Sequence, residues 1–239
     1  MLKYLFLGLV IAGCATLAHA EEPTILVSGD SLSAAYGMSL DQGWVALLQQ
    51  RLRDQGYPHR VINTSVSGET TSGALGRLPQ ALKRHHPKVV LVELGANDGL
   101  RGQPLKQLRA NLSKMIKLSR DAGAAPLLFE MRLPPNYGKE YTEGFHRSFA
   151  EIAHAEKVPL VPFFLTPIVM QRDAFLSDGI HPTAAVQPQL LEAVWPTLKP
   201  LLGKPTRPPS ADAVPSSRST SFTAGIRTVH CGRFGATSG

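Results

Sequence analysis

The sequence predicts an α/β fold, a three-layer αβα sandwich built around a central parallel sheet of five strands. Five short apolar runs, rich in β-branched residues, do not alternate with polar residues, which is typical of strands buried on both faces. Stretches with helical spacing lie between them, so that strand and helix alternate about five times in roughly 180 residues. Such alternation places helices on both faces of a parallel sheet.

The first run, Thr24–Ser28, predicts the first strand, and four runs of similar composition follow it. They span Val61–Val66, Val89–Leu94, Pro126–Met131 and Val158–Val161. In an open sheet of this kind the ligand site lies beyond the carboxyl ends of the strands. We therefore expect the residues that carry chemistry directly after strands.

Helices are predicted where apolar residues recur at a spacing of three or four. Two such segments contain Trp44, Leu47, Leu48 and Leu52, and Leu108, Leu112, Met115 and Ile116. Gly56 and Gly123 follow them at positions typical of helix ends. A last helix contains Leu190, Leu191, Val194, Leu198 and Leu201. Pro196 is expected to bend or break it.

Composition and charge limit the class of protein. The chain is 43% hydrophobic and 18% charged, as in soluble globular proteins. Outside the N-terminus no apolar run is long enough for a multispanning membrane protein. The net charge is +7, but six of the 25 Lys and Arg residues lie outside residues 21–203. The remaining body is nearly neutral and lacks the basic surface that is typical of nucleic-acid-binding proteins. Cys14 and Cys231 also lie outside it, which excludes a thiolate nucleophile or a cysteine zinc site there.

Residues 1–20 resemble a cleaved signal peptide. Lys3 precedes a short apolar stretch, and Ala18-His19-Ala20 has the small-x-small pattern that signal peptidase accepts. A short membrane anchor or a buried helix is the structural alternative, and Ile11-Ala12-Gly13-Cys14 leaves open a lipoprotein signal with lipidation at Cys14. We expect an exported, periplasmic protein, with a lipid-anchored or secreted protein as the alternatives.

The composition changes again after residue 203. Residues 204–239 contain 19 Pro, Gly, Ser or Thr among 36 residues, and their few large apolar residues have no period. Such a segment cannot bury enough apolar surface to offset its ordering entropy, so we expect a disordered basic tail. The predicted organisation is a signal peptide at 1–20, one folded domain at 21–203 and this tail.

A candidate nucleophile follows the first strand, in Gly29-Asp30-Ser31-Leu32-Ser33. A serine at a strand-to-helix turn has a raised hydroxyl and a free backbone amide at a helix N-terminus. That is a suitable position for a nucleophile. The alternative is that Asp30 or Ser31 simply caps a helix.

Two candidate oxyanion donors follow the next strands. Gly68 allows close backbone approach, so its amide could face an anion, and Asn97 offers a side-chain NH₂ donor. Each residue could instead serve only a turn.

A candidate base lies in Asp178-Gly179-Ile180-His181-Pro182. An aspartate three residues before the histidine can fold back onto Nδ1, which fixes the tautomer and leaves Nε2 free as a base. None of the other histidines has an aspartate three residues before it.

The order of these pieces resembles the four blocks of the GDSL or SGNH hydrolase superfamily. The matching blocks are Gly29-Asp30-Ser31-Leu32, Gly68, Gly95-x-Asn97-Asp98 and Asp178-x-x-His181. The match is closer to the bacterial periplasmic branch of acyl-CoA thioesterase I, arylesterase and lysophospholipase. The segments that resemble this branch are Gly29-Asp30-Ser31-Leu32-Ser33-Ala34, Val92-Glu93-Leu94-Gly95, Asn97-Asp98-Gly99-Leu100-Arg101-Gly102, Arg132-Leu133-Pro134, Asn136-Tyr137-Gly138 and Asp178-Gly179-Ile180-His181-Pro182.

The resemblance covers about residues 24–202 and implies a flavodoxin-like SGNH fold. It implies Ser31 as nucleophile, His181 as base and Asp178 as its orienting partner. The amides of Ser31 and Gly68 and the side chain of Asn97 would form the oxyanion hole. Residues expected to contact substrate are Asp30, Leu32, Leu133, Pro134, Tyr137 and Ile180. The chain departs from the family pattern at Ala35, where glycine is expected, and at Glu69, where aspartate is expected.

The expected function is hydrolysis of carboxylic esters and thioesters of acyl chains through an acyl-enzyme on Ser31. The partner is a small-molecule acyl ester or thioester, with transient lipid contact but no nucleic acid, and a monomer is expected. Neither a cofactor nor a metal is expected. The alternatives are a carbohydrate O-acetyl esterase, which acts on sugar acetates, and a non-catalytic exported lipid- or glycan-binding module.

Overall fold

The computed structural model describes residues 22–208. Its five strands are β1 (Thr24–Gly29), β2 (Arg60–Asn63), β3 (Val89–Glu93), β4 (Ala125–Phe129) and β5 (Leu160–Val161). Its α-helices are α1 (Trp44–Asp54), α2 (Thr71–His85), α3 (Ala96–Leu100), α4 (Leu105–Asp121), α5 (Lys139–Glu156) and α6 (Gln187–Leu198). Short 3₁₀ turns connect several of them.

The strands form one sheet in the order β2-β1-β3-β4-β5, with every neighbouring pair parallel. Because all strands run the same way, their carboxyl ends meet at one edge, hereafter the carboxyl edge. The central strands β1 and β3 are buried along their whole length, as expected for a sheet covered on both faces.

The helices form two outer layers. On one face α1 and α6 pack against each other, and on the other α2 packs on α4 and α4 on α5. Apolar side chains from both layers and from the sheet form one continuous core. The predicted three-layer sandwich around a five-stranded parallel sheet is therefore confirmed.

The sequence pattern did not predict α2 and α5. Helix α2 buries a narrow apolar stripe of Ala74, Leu78 and Leu82, and Pro79 lies inside it. Such a stripe gives a weak periodic signal, and the proline points away from a helix. Packing on α4 stabilises α2 nevertheless.

Pro196 was expected to bend or break the last helix, and the structure shows no break there. Helix α6 runs through Pro196 to Leu198 and continues as a 3₁₀ turn, Lys199–Leu202. A proline deprives only the carbonyl four residues earlier of its helical donor. That residue, Glu192, is exposed, so water can satisfy its carbonyl oxygen.

Thr206 and Arg207, which follow the predicted boundary at 203, pack on Gly56 in the folded body. The amides of Thr206 and Arg207 donate hydrogen bonds to the carbonyl of Gly56, at 3.0 and 3.3 Å. Gly56 has a φ of +74°, and a Cβ there would lie 2.1 Å from the Arg207 carbonyl oxygen. The predicted signal peptide, Cys14 and residues 209–239 lie outside the described residues. Within residues 22–208, no helix is long and apolar enough to cross a membrane.

Alanine substitutions at Gly56 and Gly123 form a matched pair that tests whether Thr206 and Arg207 dock on Gly56. Both glycines have positive φ, +74° and +79°, but a Cβ at Gly123 meets nothing within 4 Å. Gly123→Ala should cost about 1 kcal/mol through backbone strain alone, or about 2–4 °C in Tm. Gly56→Ala should lower the Tm further, because it also displaces Arg207. Equal losses in thermal unfolding would contradict the docking.

Candidate active site

The predicted site residues converge at the carboxyl edge of the sheet. Ser31 follows β1, Gly68 follows β2 and Asn97 lies in α3, directly after β3. His181 lies in the segment between β5 and α6. The parallel topology thus brings residues 150 positions apart in the sequence into contact.

Ser31, His181 and Asp178 form a continuous hydrogen-bonded chain. His181 Nε2 lies 2.9 Å from Ser31 Oγ, and His181 Nδ1 lies 2.7 Å from Asp178 Oδ2. An ionised carboxylate only accepts, so Nδ1 carries the proton and the neutral ring accepts the Ser31 hydroxyl through Nε2. This is the arrangement of a nucleophile, a base and an orienting acid.

Asp178 is exposed but well supplied with donors. Its Oδ1 accepts from the amides of Ile180, at 2.9 Å, and His181, at 3.0 Å. The His181 amide, then the His181 ring and the Ile180 amide, lower the pKa of Asp178 from its usual value near 4 to about 2. Asp178 therefore stays ionised at neutral and mildly acidic pH.

Backbone pairing and an aromatic ring hold His181 in place. The Leu176 amide donates to the His181 carbonyl at 2.8 Å, and Phe175 and Pro182 form an antiparallel bridge. The Tyr36 ring lies 4.1 Å from the imidazole, between centroids. Sequence reasoning missed Tyr36, because no local pattern connects it to His181.

The turn after β1 leaves the Ser31 amide available. Asp30 closes this turn, since its carbonyl accepts from Ala34 N at 2.9 Å and its Oδ1 accepts from Leu32 N at 3.0 Å. Within residues 22–208, neither the Ser31 amide nor the Gly68 amide donates a hydrogen bond. Gly68 has a φ of +77°, which glycine adopts without strain. Asp30 thus closes a turn, whereas the alternative interpretation expected it to cap a helix, and the Ser31 amide stays free for chemistry.

The Asn97 side chain bonds to a distant residue rather than to the backbone of its own turn. Its Nδ2 donates to Asp30 Oδ2 at 3.1 Å, which joins the segments after β1 and β3. Asn97 and Ser31 are half-buried and Gly68 is exposed, so the site is open to solvent.

Two further contacts fix the segments that carry Gly68 and Asn97. Arg101, at the end of α3, donates through Nη2 to the Gly68 carbonyl at 3.0 Å. Buried Asp98 accepts from the Thr71 amide, at 2.8 Å, and the Thr71 hydroxyl, at 2.5 Å. Helix α3 is therefore tied both to the Gly68 turn and to the start of α2.

Beneath the site lies a pair of buried carboxyl groups that sequence reasoning did not assign to the chemistry. Glu93 Oε2 accepts from Ser33 Oγ at 2.6 Å and from the Asp30 amide at 3.3 Å. Burial, and then the nearby Asp30, raise the pKa of Glu93 well above its usual value. Burial also raises the pKa of Asp30 from its usual value to about 6, while the Leu32 amide, His181 and Asn97 oppose this shift. A glutamate within a buried apolar strand was the signal that could have revealed this pair.

The expected substrate-contact residues differ in exposure. Asp30 and Leu32 are buried, and the Asp30 carboxylate faces Asn97 and the Leu32 amide. Leu133 is half-buried and packs so closely over Gly99 that a Cβ there would lie 2.7 Å from it. Pro134, Tyr137 and Ile180 are exposed. Of the six, these three and Leu133 have surface that a ligand can reach.

The exposed large apolar side chains share a position in the chain relative to the strands and helices. Each lies between the end of a strand and the start of the next long helix. They are Tyr36, Leu40, Val66, Tyr137, Val169, Met170 and Ile180. We call this set the apolar rim. It places hydrophobic surface on the side of the sheet where Ser31 lies.

The two departures from the family pattern have visible structural consequences. Ala35 has a φ of +57°, in the region where glycine is favoured. Glu69 accepts a hydrogen bond from Arg77 Nε at 3.0 Å and forms an ion pair with the same guanidinium. Neither residue contacts the Ser31–His181–Asp178 chain. Among residues 22–208, no group of three or more potential ligands could hold a metal ion.

Comparison with known proteins decides the family. The sequence model of the GDSL-like lipase/acylhydrolase family matches residues 27–187. The chain belongs to this family. The resemblance predicted from the sequence blocks is thereby confirmed, and the matched range contains Ser31, Gly68, Asn97, Asp178 and His181.

Curated relatives lie within the same GDSL-like family. Esterase TesA of Pseudomonas aeruginosa is 51% identical over 199 residues, covering 82% of this chain and 99% of TesA. Thioesterase 1/protease 1/lysophospholipase L1 of Escherichia coli strain K12 is 40% identical over 201 residues, covering 84% and 93%.

A solved structure has the same fold. The psychrotrophic esterase EstA from Pseudoalteromonas sp., in a structure inhibited by monoethylphosphonate, superposes with a TM-score of 0.72. It is 42% identical, and the match covers 75% of this GDSL-like chain and 98% of EstA.

The buried Glu93 predicts a specific pH dependence of stability. The pKa of Glu93 is higher in the folded than in the unfolded protein. Its contribution to the free energy of unfolding is therefore fully present below the unfolded-state pKa of about 4.3 and is lost as the pH rises toward the folded-state pKa. Glu93→Gln keeps an oxygen acceptor but cannot ionise. The Tm of the variant relative to wild type should therefore increase by a few degrees from pH 4 to pH 8. A difference that is constant with pH would contradict the raised pKa.

Proposed function

We propose that this GDSL-like hydrolase is a serine esterase that cleaves carboxylic esters and thioesters of acyl chains through an acyl-enzyme on Ser31. The observation that carries the proposal is the hydrogen-bonded chain from Ser31 Oγ to His181 Nε2, at 2.9 Å, and from His181 Nδ1 to Asp178, at 2.7 Å. The relatives named esterase and thioesterase 1/lysophospholipase L1 support the same activity.

In the first step Ser31 Oγ attacks the acyl carbonyl while His181 Nε2 takes the hydroxyl proton. Asp178 stabilises the resulting imidazolium, because its lowered pKa keeps it ionised. His181 then donates the proton to the leaving alcohol or thiol, and an ester on Ser31 remains. Water attacks this ester with His181 again as base, which releases the acid and restores Ser31.

The tetrahedral intermediate carries a negative oxygen that needs donors. The free amides of Ser31 and Gly68 and the Nδ2 group of Asn97 lie on adjacent segments of the carboxyl edge. Each such donor contributes on the order of 3 kcal/mol to transition-state stabilisation. Arg101 and Asp98 support this hole by fixing the segments that carry Gly68 and Asn97.

The apolar rim favours acyl-chain substrates over sugar acetates. Tyr137 and Ile180 offer exposed hydrophobic surface that an acyl chain can cover, and burial of each methylene contributes about 0.8 kcal/mol. A carbohydrate O-acetyl esterase would have little use for this surface. A non-catalytic binding module would not need the Ser31–His181–Asp178 chain.

The cellular setting belongs to the same proposal. The signal-like residues 1–20 support export to the periplasm, and the apolar rim supports transient contact with lipid-like substrates. We expect the enzyme to act as a monomer, since each chain contains all the proposed catalytic groups.

The nucleophile can be tested with Ser31→Ala. Turnover of p-nitrophenyl esters should fall by at least about a thousand-fold, because the acyl-enzyme cannot form. Stoichiometric labelling by a fluorophosphonate should also be lost, while the Tm stays unchanged. Ser67→Ala, at an exposed serine of the same edge, is the matched control and should keep both turnover and labelling. Labelling that survives in Ser31→Ala would refute the assignment.

Substrate class can be tested with a series of p-nitrophenyl esters from acetate to long-chain acids. We expect kcat/KM to rise with chain length, by up to about four-fold for each methylene that the enzyme buries. The reason is that two exposed residues of the apolar rim, Tyr36 and Ile180, lie next to His181, the partner of the reactive serine. A maximum at acetate, followed by a steady fall, would favour the carbohydrate O-acetyl esterase instead.

A further inference from the structure

The side-chain amide of Asn97 can face Asp30 in two ways, and only one of them suits an oxyanion hole. If Nδ2 faces Asp30, its second hydrogen is free for the oxyanion. If the amide is rotated by half a turn, the carbonyl oxygen takes that place. In the structure Nδ2 faces Asp30 Oδ2 at 3.1 Å. An ionised carboxylate accepts and never donates, so it selects this orientation.

Asp30 is itself held so firmly that it can impose this choice. Its side chain is buried, with 1% of the residue exposed, and Oδ1 accepts from the Leu32 amide at 3.0 Å. Its own amide is bonded to Glu93 in β3. One carboxylate oxygen therefore closes the Ser31 turn and the other reaches Asn97.

We propose that Asp30 is a positioning residue, which fixes the Asn97 amide so that Nδ2 donates to the oxyanion. This inference rests on the proposed function, in which Asn97 is an oxyanion donor. It differs from the sequence expectation that Asp30 contacts substrate.

Asp30→Asn is a sharp test because it preserves shape. The introduced amide has one oxygen and one nitrogen, whereas Leu32 N and Asn97 Nδ2 are both donors. It can accept from only one of them, and its nitrogen then faces the other. The Leu32 donor is a backbone amide that cannot rotate, so the introduced oxygen stays on Leu32 N and the introduced nitrogen faces Asn97. The Asn97 side chain then rotates and withdraws its donor from the oxyanion.

The experiment is a double-mutant cycle with Asp30→Asn, Asn97→Ala and the combined variant, assayed for kcat and KM on one p-nitrophenyl ester. Asn97→Ala should lower kcat by about a hundred-fold, as for loss of an oxyanion donor. Asp30→Asn should lower kcat by at least about ten-fold and change KM by less than about three-fold. In the Asn97→Ala background, Asp30→Asn should change kcat by less than about two-fold, because its effect passes through Asn97.

Asp98→Asn provides the matched comparison. Asp98 is also a buried aspartate at this edge, but it accepts from Thr71 rather than from Asn97. Asp98 holds the start of α2 and does not set the orientation of the Asn97 amide, so Asp98→Asn should still lower kcat in the Asn97→Ala background. If Asp30 had only a structural role, Asp30→Asn would likewise lower kcat further in that background.

The outcomes separate this inference from the proposed function. A large effect of Asn97→Ala with additive loss from Asp30→Asn overturns the positioning role alone. Wild-type kcat in the Asp30→Asn variant also overturns the positioning role of Asp30 and leaves the proposed function intact. Wild-type kcat in Asn97→Ala overturns the oxyanion assignment, and the role of Asp30 falls with it.

A second measurement does not depend on Asp30→Asn folding. In ¹⁵N-labelled His181→Ala, the side-chain NH₂ resonances of Asn97 should shift with pH as Asp30 titrates. The charged and titratable groups that face Asp30 are Glu93, Asp98 and His181, and the variant removes the imidazole. Asn97 resonances that do not change between pH 4 and pH 8 would overturn the contact.

Discussion

The parallel pairing of the five strands is the constraint on which the site depends. It sends every strand toward the same edge, so Ser31, Gly68 and Asn97 become neighbours although other elements separate them in sequence. His181 arrives at that edge from the segment before α6, held by its pairing with Leu176. If one central strand ran in the opposite direction, the residue that follows it would lie at the other edge of the sheet, away from the rest of the site.

Two aspartates at the carboxyl edge, Asp178 and Asp30, have different roles because their environments differ. Asp178 lies in solvent with three donors around it, and its pKa is lowered to about 2. Asp30 is buried above Glu93, and its pKa is raised to about 6. The first is suited to stabilising a transient cation, and the second to holding a neutral amide. Both act because a carboxylate dictates which hydrogen its partner must present.

The fold and the residues that follow strands could be predicted from the sequence, because local periodicity indicates where strands and helices lie and chain order indicates which residues follow each strand. Ser31, Gly68 and Asn97 became candidates in this way, Asp178 and His181 through their spacing, and the resemblance to the GDSL family implied the roles of all five. Tyr36 was missed, because its contact with the imidazole exists only after the chain has folded. The contact between Asp30 and Asn97 was not predicted, since a sequence does not show which way a side chain faces. The sequence did not show that α6 continues through Pro196, because only the structure shows that Glu192, whose carbonyl loses its helical donor, is exposed.

The segment docked on Gly56 has a practical consequence. Gly56 lies between α1 and the start of β2, at the end of the sheet opposite Ser31. A surface tether or fusion partner joined through Thr206 and Arg207 would approach from the back of the molecule. The carboxyl edge with Ser31 would then face away from the surface to which the enzyme is attached. The immobilised enzyme would therefore remain accessible to bulky, aggregated esters.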